Sequence, residues 1–157
     1  LDRAADLRVV ARIVIEDLAR TEAPGRIVLT LPEMPVMSDL DPDTFGILCG
    51  NLVENALRHG AQGTPIEVML TTDGQLIVTN EGPVLPAKTL DLLTNRFERA
   101  GTSSNGSGLG LAIVAAIADR IGSHLILRSP RRGAASGFEA IVSLPKDGST
   151  HPGPTTQ

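Results

Sequence analysis

The chain has no tryptophan, no tyrosine and only three phenylalanines among its 157 residues. It therefore lacks the aromatic platforms on which unpaired bases stack. It also lacks a basic excess: 14 lysines and arginines face 18 aspartates and glutamates, a net charge of −4. Without such an excess there is no general electrostatic grip on a phosphate backbone, so nucleic acid is excluded as an expected partner. The single cysteine, Cys49, rules out an internal disulfide and a cysteine-built zinc site, and its place in the apolar run FGILCGNLVENAL marks it as inert core. No apolar run reaches the roughly 18 residues that cross a bilayer. The chain opens on Leu1 with no basic and apolar leader, so it reads as a piece of a longer protein and not as a secreted precursor.

What is present is ordinary globular composition, 41% hydrophobic and 20% charged, in a length that supports one core. From Leu7 to Arg20 the apolar residues Leu7, Val10, Val14, Ile15 and Leu18 recur at helical spacing with charges between them. EAPG breaks that helix, RIVLTL follows as a strand, and a shorter strand is expected at Val36 to Asp39. Asp41 followed by Pro42 starts a second helix, which should run to about His59 and end at Gly60. PIEVMLTT and QLIVTN flank Asp73-Gly74, the dipeptide of a two-residue hairpin turn.

After EGPVLP come a short helical stretch, AKTLDLLTNRFERA, and the polar, glycine-rich GTSSNGSG. A helix from Leu109 to Ile121 and two strands, HLILRS and FEAIVSL, complete the expected domain at residues 1–145, while the polar, proline-broken stretch 146–157 is expected to be a disordered tail. With helices grouped against paired strands, the order predicts an α/β two-layer sandwich and not a doubly wound fold.

Three motifs carry chemistry. In NGSGLGLAIV a bare-backbone loop leads into a helix. No strand precedes it, against a dinucleotide-binding turn, and no Gly-Lys-Ser or Gly-Lys-Thr closes it, against a Walker-type loop. Two readings stand: a polyphosphate held by free N–H groups at the helix start, or a plain turn. In NLVENALRHG, Asn51, Asn55 and Arg58 share one helix face beside the core stripe of Phe45, Leu48, Leu52 and Ala56. Either the amides and the guanidinium meet Mg²⁺ and phosphate, or Arg58 pairs with Glu54 on a wet face and the asparagines are surface polar residues. In TNEGPVLP, Asn80 and Gly82 either read a base edge or form an ordinary turn after a strand.

The order and spacing of the run from Asn51 to His59, NEGP, RFER and GSGLGLAIV resemble the ATP-binding catalytic domain of sensor histidine kinases. That family lies in the superfamily that includes gyrase B, Hsp90 and MutL, and the resemblance spans roughly Leu7 to Leu144. It implies a Bergerat-type fold, a mixed, mostly antiparallel sheet packed on helices, with ATP and Mg²⁺ bound. By that resemblance Asn55 is the Mg²⁺ ligand, Asn51 and Arg58 face the phosphates, and His59 stands where the family has a tyrosine near the nucleotide. Asn80 reads the adenine amine with Gly82 beside it, Arg96 and Arg99 flank a lid running from about Pro86 to Ser107, and Gly106, Gly108, Leu109 and Gly110 surround the triphosphate.

Three departures accompany the match. Asn80 replaces an aspartate, keeping an acceptor without its charge. Val84 replaces a glycine, and the aromatic usual near Thr94 is missing. The superfamily's water-using ATPases and its anti-sigma-factor serine kinases carry a glutamate where Asn51 stands here, and an amide takes no proton at neutral pH. The expected reaction is therefore transfer of the ATP γ-phosphate to a histidine on a dimerisation domain upstream of Leu1. None of His59, His124 and His151 lies in an acidic helix context suited to that acceptor.

The implied setting is a cytoplasmic domain, monomeric in isolation, of a homodimeric two-component kinase anchored in the bacterial inner membrane and serving a response regulator. The alternatives are a non-catalytic nucleotide-sensing or partner-binding module, or an anti-sigma-factor serine kinase.

Overall fold

The amphipathic run at the start of the chain forms helix α1 (Leu7–Thr21), which follows a two-residue strand β1 (Ala5–Asp6) in the computed structural model; residues 4–94 and 110–148 are described. Asp6 caps α1 by accepting from Arg8 N, and the Arg8 side chain closes back on the same carboxylate. Those hydrogen bonds hold the Asp6 carboxyl at about 2, with the backbone N–H of Val36 adding to them against a partial cost of burial. The buried seam of α1 is Leu7, Ala11 and Ile15, with Val10, Val14 and Leu18 half-covered beside it. Sequence spacing located this face but passed over Ala11, the smallest side chain in it.

Strand β2 (Ile27–Thr30) enters the main sheet, whereas β3 (Met37–Ser38), shorter than the four residues expected there, pairs antiparallel with β1 in a separate two-stranded sheet. Helix α2 (Pro42–His59) starts as its sequence dictates: Asp41 accepts from Thr44 N, and Pro42 occupies the first turn, where a missing N–H costs nothing. It stops at Gly60, whose extended φ of −78° differs from the left-handed glycine cap usual at helix ends. A Cβ at Gly60 would stand 2.6 Å from Ala56 O, so close backbone approach is what requires a glycine there.

Strands β4 (Ile66–Leu70) and β5 (Gln75–Asn80) form a hairpin in the expected place with a different turn. Thr71 N donates to Gln75 O, leaving Thr72, Asp73 and Gly74 as a three-residue loop, and only Gly74 has positive φ, at +86°. The two-residue turn expected at Asp73-Gly74 would need positive φ at Asp73 as well. Helix α3 (Ala87–Thr94), helix α4 (Gly110–Arg120) and strands β6 (Leu125–Arg128) and β7 (Phe138–Ser143) complete the fold. Of the lid expected from about Pro86 to Ser107, only the part up to residue 94 is described, as α3; residues 95–109 and the tail beyond 148 lie outside the described residues.

The five-stranded sheet has the order β2-β4-β5-β7-β6, with β2 parallel to β4 and every other pair antiparallel. This is the predicted mixed, mostly antiparallel arrangement. Ile66, Val68 and Leu70 alternate with Leu76, Val78 and Asn80 on the covered face, and they meet Phe45, Leu48, Leu52 and Ala56 of α2 in one core. Each fully covered Leu or Phe contributes roughly 1.5–3 kcal/mol. Cys49 is fully buried in this core, and burial pushes its thiol far above the ordinary range, so it is inert packing as expected.

The stretch expected to be disordered from Lys146 opens with a tied turn: Asp147 N donates to Met37 O at 3.3 Å and Gly148 N to Asp39 Oδ2 at 3.1 Å.

Candidate functional site

Alternation along β5 decides where Asn80 goes. As the last residue of the strand it falls in the same phase as Leu76 and Val78, so its amide is carried to the covered face and is only 3% exposed. The register sets it between Ile66 on β4 and Phe138 on β7. Its Nδ2 donates to Glu81 O at 3.0 Å, while Oδ1 is buried and has no hydrogen-bond partner. An unpaired buried acceptor costs about 1–3 kcal/mol, so its persistence in the core wall calls for a donor from outside the chain.

The turn that follows lies against the end of α2. Ala61 N donates to Glu81 O at 2.8 Å. Gly82 has φ of +152°, and a Cβ there would stand 2.9 Å from His59 O, so this glycine is demanded by the helix end as well as by any ring that approaches it. His59 itself is half-buried with its ring 6.2 Å from that of Phe138. Burial lowers its pKa below the ordinary histidine value, and the neighbouring Arg58 charge pushes the same way.

One helical turn back from His59, Asn55 is 7% exposed and its side chain makes no hydrogen bond among the described residues. One turn further back, Asn51 donates through Nδ2 to Ile47 O at 2.9 Å and lies against the first residue of α4, where a Cβ on Gly110 would be 3.3 Å from Asn51 Oδ1. Two turns of α2, about 11 Å, thus link the helix start at Gly110 to the turn that follows Asn80.

Arg58 is elsewhere: it is exposed and pairs with Glu54 Oε2 at 3.4 Å, the surface pairing that spacing alone favoured. The structure thus brings Asn51 and Gly110 together, and His59, Asn80 and Gly82 together, with Asn55 between them. Arg96, Arg99, Gly106, Gly108 and Leu109 lie outside the described residues.

Sequence reasoning missed the connection between β6 and β7. It assigned no role to the residues between those two strands, yet Ser129 Oγ accepts from Leu85 N at 2.8 Å, Gly137 N donates to Gly82 O at 2.8 Å, and Arg131 pairs with Glu81. These contacts join positions about fifty residues apart, and no local pattern announces them. Among the described residues no group of three or more His, Cys, Asp or Glu could hold a metal ion.

Comparison with known proteins agrees with this geometry. Residues 40–148 match the family described as histidine kinase-, DNA gyrase B-, and HSP90-like ATPase. The sensor protein QseC of Escherichia coli strain K12 is 34% identical over 154 residues, which cover 91% of this chain and 33% of that protein. The sensor histidine kinase component HK1 of Mycobacterium tuberculosis is 31% identical over 140 residues, covering 87% of this chain and 81% of that one. The chain spans about a third of the length of its QseC relatives.

Among solved structures, the mycobacterial sensor histidine kinase MprB superposes with a TM-score of 0.69 at 24% identity, covering 93% of this chain and 99% of that one. The histidine kinase domain of the E. coli osmosensor EnvZ gives 0.67 at 25% identity, covering 100% and 97%. The chain belongs to the histidine kinase-, DNA gyrase B- and HSP90-like ATPase family, as an ATP-binding catalytic domain of the kind found in sensor histidine kinases.

Proposed function

We propose that this domain binds ATP with Mg²⁺ and supplies the γ-phosphoryl group to a histidine on a phosphoacceptor domain of the same longer kinase. The observation that carries the proposal is Asn55, a residue of α2 only 7% exposed whose side chain has no partner among the described residues, between the helix start at Gly110 and the turn at Asn80. An amide at the edge of the core that spends neither its oxygen nor its nitrogen on the described residues is free to meet an outside ligand. Its neutral oxygen suits a hard divalent cation that keeps its remaining sites for water and phosphate.

Asn55 would hold Mg²⁺, which when bound offsets charge on the phosphate oxygens. Asn51 and the first turn of α4 orient the phosphates, where free N–H groups and the helix dipole favour anions. Gly106, Gly108 and Leu109 are assigned to the same phosphates, and Arg96 and Arg99 to the flank of the site, by their match to the family pattern. Asn80 holds the adenine by accepting from its 6-amino group.

In the transfer, the bond from the γ-phosphorus to the β,γ-bridging oxygen breaks as a bond to the acceptor imidazole nitrogen forms. The electron pair leaves with ADP, so positioning and charge neutralisation are most of what the domain supplies. No general base is required of α2, and none is offered: Asn51 cannot take a proton, and Glu54 is exposed and paired with Arg58.

In the whole protein we place this domain on the cytoplasmic side of the bacterial inner membrane, in a homodimer joined through its histidine-bearing helices and passing phosphate to a response regulator. The anchor would lie elsewhere in that protein, since no helix among the described residues is long and apolar enough to cross a membrane.

Calorimetric titration of the chain with Mg-ATP tests the reading. Saturable heat that ADP competes away is expected. No heat, with no competition by ADP, overturns the enzyme assignment and favours a module that binds a protein partner through the same surface.

A further inference from the structure

The segment linking β6 to β7 grips the turn after β5 at three points. Ser129 Oγ accepts from Leu85 N at 2.8 Å and donates to Gly137 O at 2.7 Å. Gly137 N donates to Gly82 O at 2.8 Å, and the Arg131 guanidinium pairs with the Glu81 carboxylate. The two segments pass in backbone contact: Gly137 has φ of +91°, and a Cβ on it would stand 2.7 Å from Asn80 O and 2.9 Å from Arg131 Cδ.

Glu81 is the centre of this arrangement. Arg131 holds its side chain, and its carbonyl accepts from both Ala61 N at 2.8 Å and Asn80 Nδ2 at 3.0 Å. That last bond settles which way the Asn80 amide faces. A carbonyl only accepts, so the Asn80 nitrogen must be the atom turned to Glu81, and Oδ1 becomes the free atom. Oδ1 is buried and unpartnered. It matches a 6-amino group, which donates, and opposes a 6-oxo group, whose lone pairs would face its own. An asparagine free to flip would suit either purine, so an aspartate's discrimination is not guaranteed by an amide alone. Here it must come from whatever holds the amide.

We infer that Arg131 is a positioning residue for nucleobase recognition: through Glu81 it fixes the Asn80 amide with oxygen outward, and thereby makes the site prefer 6-aminopurine over 6-oxopurine nucleotides. The inference rests on the nucleotide-binding role proposed above. The Arg131–Glu81 pair is partly exposed, with 28% and 37% of the two side chains accessible, so its loss should leave the fold standing.

The test is calorimetric titration of the full chain with Mg²⁺ complexes of ATP, GTP and purine riboside triphosphate, which has hydrogen at position 6. The unaltered chain should bind ATP about three- to tenfold more tightly than the 6-unsubstituted analogue, the worth of one neutral hydrogen bond, and GTP more weakly still. Arg131→Gln should bring the ATP-to-analogue ratio toward unity and raise relative GTP affinity, with binding of the analogue itself within about twofold of the unaltered chain. Glu81→Ala should do the same, and Arg131→Lys should restore most of the preference.

An equal loss for all three nucleotides, or a ratio unmoved by Arg131→Gln in a chain that still melts normally, overturns the inference. Failure of the unaltered chain to bind any nucleotide overturns the functional proposal and this inference with it. Binding with an unmoved ratio overturns this inference alone.

Discussion

Asn51 on α2 and Gly110 at the start of α4 are packed so closely that a methyl group on the glycine would stand 3.3 Å from Asn51 Oδ1 and 3.6 Å from its backbone oxygen. Helix propensity favours alanine over glycine by about 1 kcal/mol, while the crowding opposes it. The two effects act on different observables. Gly110→Ala should leave unfolding free energy within about 1 kcal/mol of the unaltered chain, yet displace Asn51 and weaken Mg-ATP binding several-fold. Urea unfolding and titration on the same preparation check both. Unchanged affinity would mean that Asn51 and the start of α4 do not share a ligand.

Asn55 provides the sharpest separation of a ligand role from a packing role. Its side chain makes no hydrogen bond within the described residues and its amide is not sealed from solvent, so truncating it forfeits no internal bond and opens only a small gap at the edge of the core. Asn55→Ala should therefore fold with nearly unaltered stability and abolish Mg-ATP-dependent phosphorylation of an added phosphoacceptor domain; Asn55→Asp should abolish it too. A large drop in melting temperature with phosphorylation retained would assign the residue to the core.

How much of this was legible beforehand follows from the range of the interactions concerned. The start of α2 at Asp41 and Pro42, the span of β5, and the buried stripe Phe45, Leu48, Leu52 and Ala56 are set by neighbours within a few residues, and the sequence displays them. The register of the β4–β5 turn was missed because Asp-Gly fits two loop lengths, and strand pairing chose the longer. Burial of Asn80 followed from alternation, but its unpaired oxygen follows from Nδ2 donating to the Glu81 carbonyl, and Glu81 is held in turn by Arg131, a contact across fifty positions. For the same reason the expected common face of Asn51, Asn55 and Arg58 divides. The helix period places them together, but the nearby Glu54 carboxylate draws Arg58 to the solvent side.

That surface pair yields a prediction of its own. An exposed i, i+4 ion pair contributes about 0.3–0.5 kcal/mol, so Glu54→Gln should change stability by less than that and leave phosphotransfer intact. Arg58→Ala should be equally mild toward urea. If Arg58 leaves Glu54 to meet a phosphate, the same variant raises the KM for ATP at low salt and the difference fades as ionic strength rises. A salt-independent KM identical to that of the unaltered chain confines Arg58 to its surface pair.

His59 and Asp6 should mark two separate acid limits on stability. Burial, aided by Arg58, lowers the His59 pKa below its ordinary 6.5, so the unfolded chain takes up that proton at higher pH than the folded one does. Stability then rises with pH wherever the unfolded state holds more protons. It should decline as pH falls through about 6.5 and level off once the folded imidazole is protonated too. His59→Phe, which keeps a ring opposite Phe138, should remove that decline.

Asp6 acts lower. Its carboxyl sits at about 2 against an ordinary 3.8, because Arg8 and the Val36 N–H bind its charged form. The stability it contributes is present above 3.8 and is lost as pH falls from there toward 2. Asp6→Asn should therefore lower stability at neutral pH and flatten only that lower limb. Urea midpoints measured from pH 8 down to pH 2.5 resolve the two limbs, since each variant should erase one and spare the other. A His59→Phe chain that still weakens between pH 7 and 5.5 as the unaltered chain does would show that the half-buried imidazole is not the group responsible.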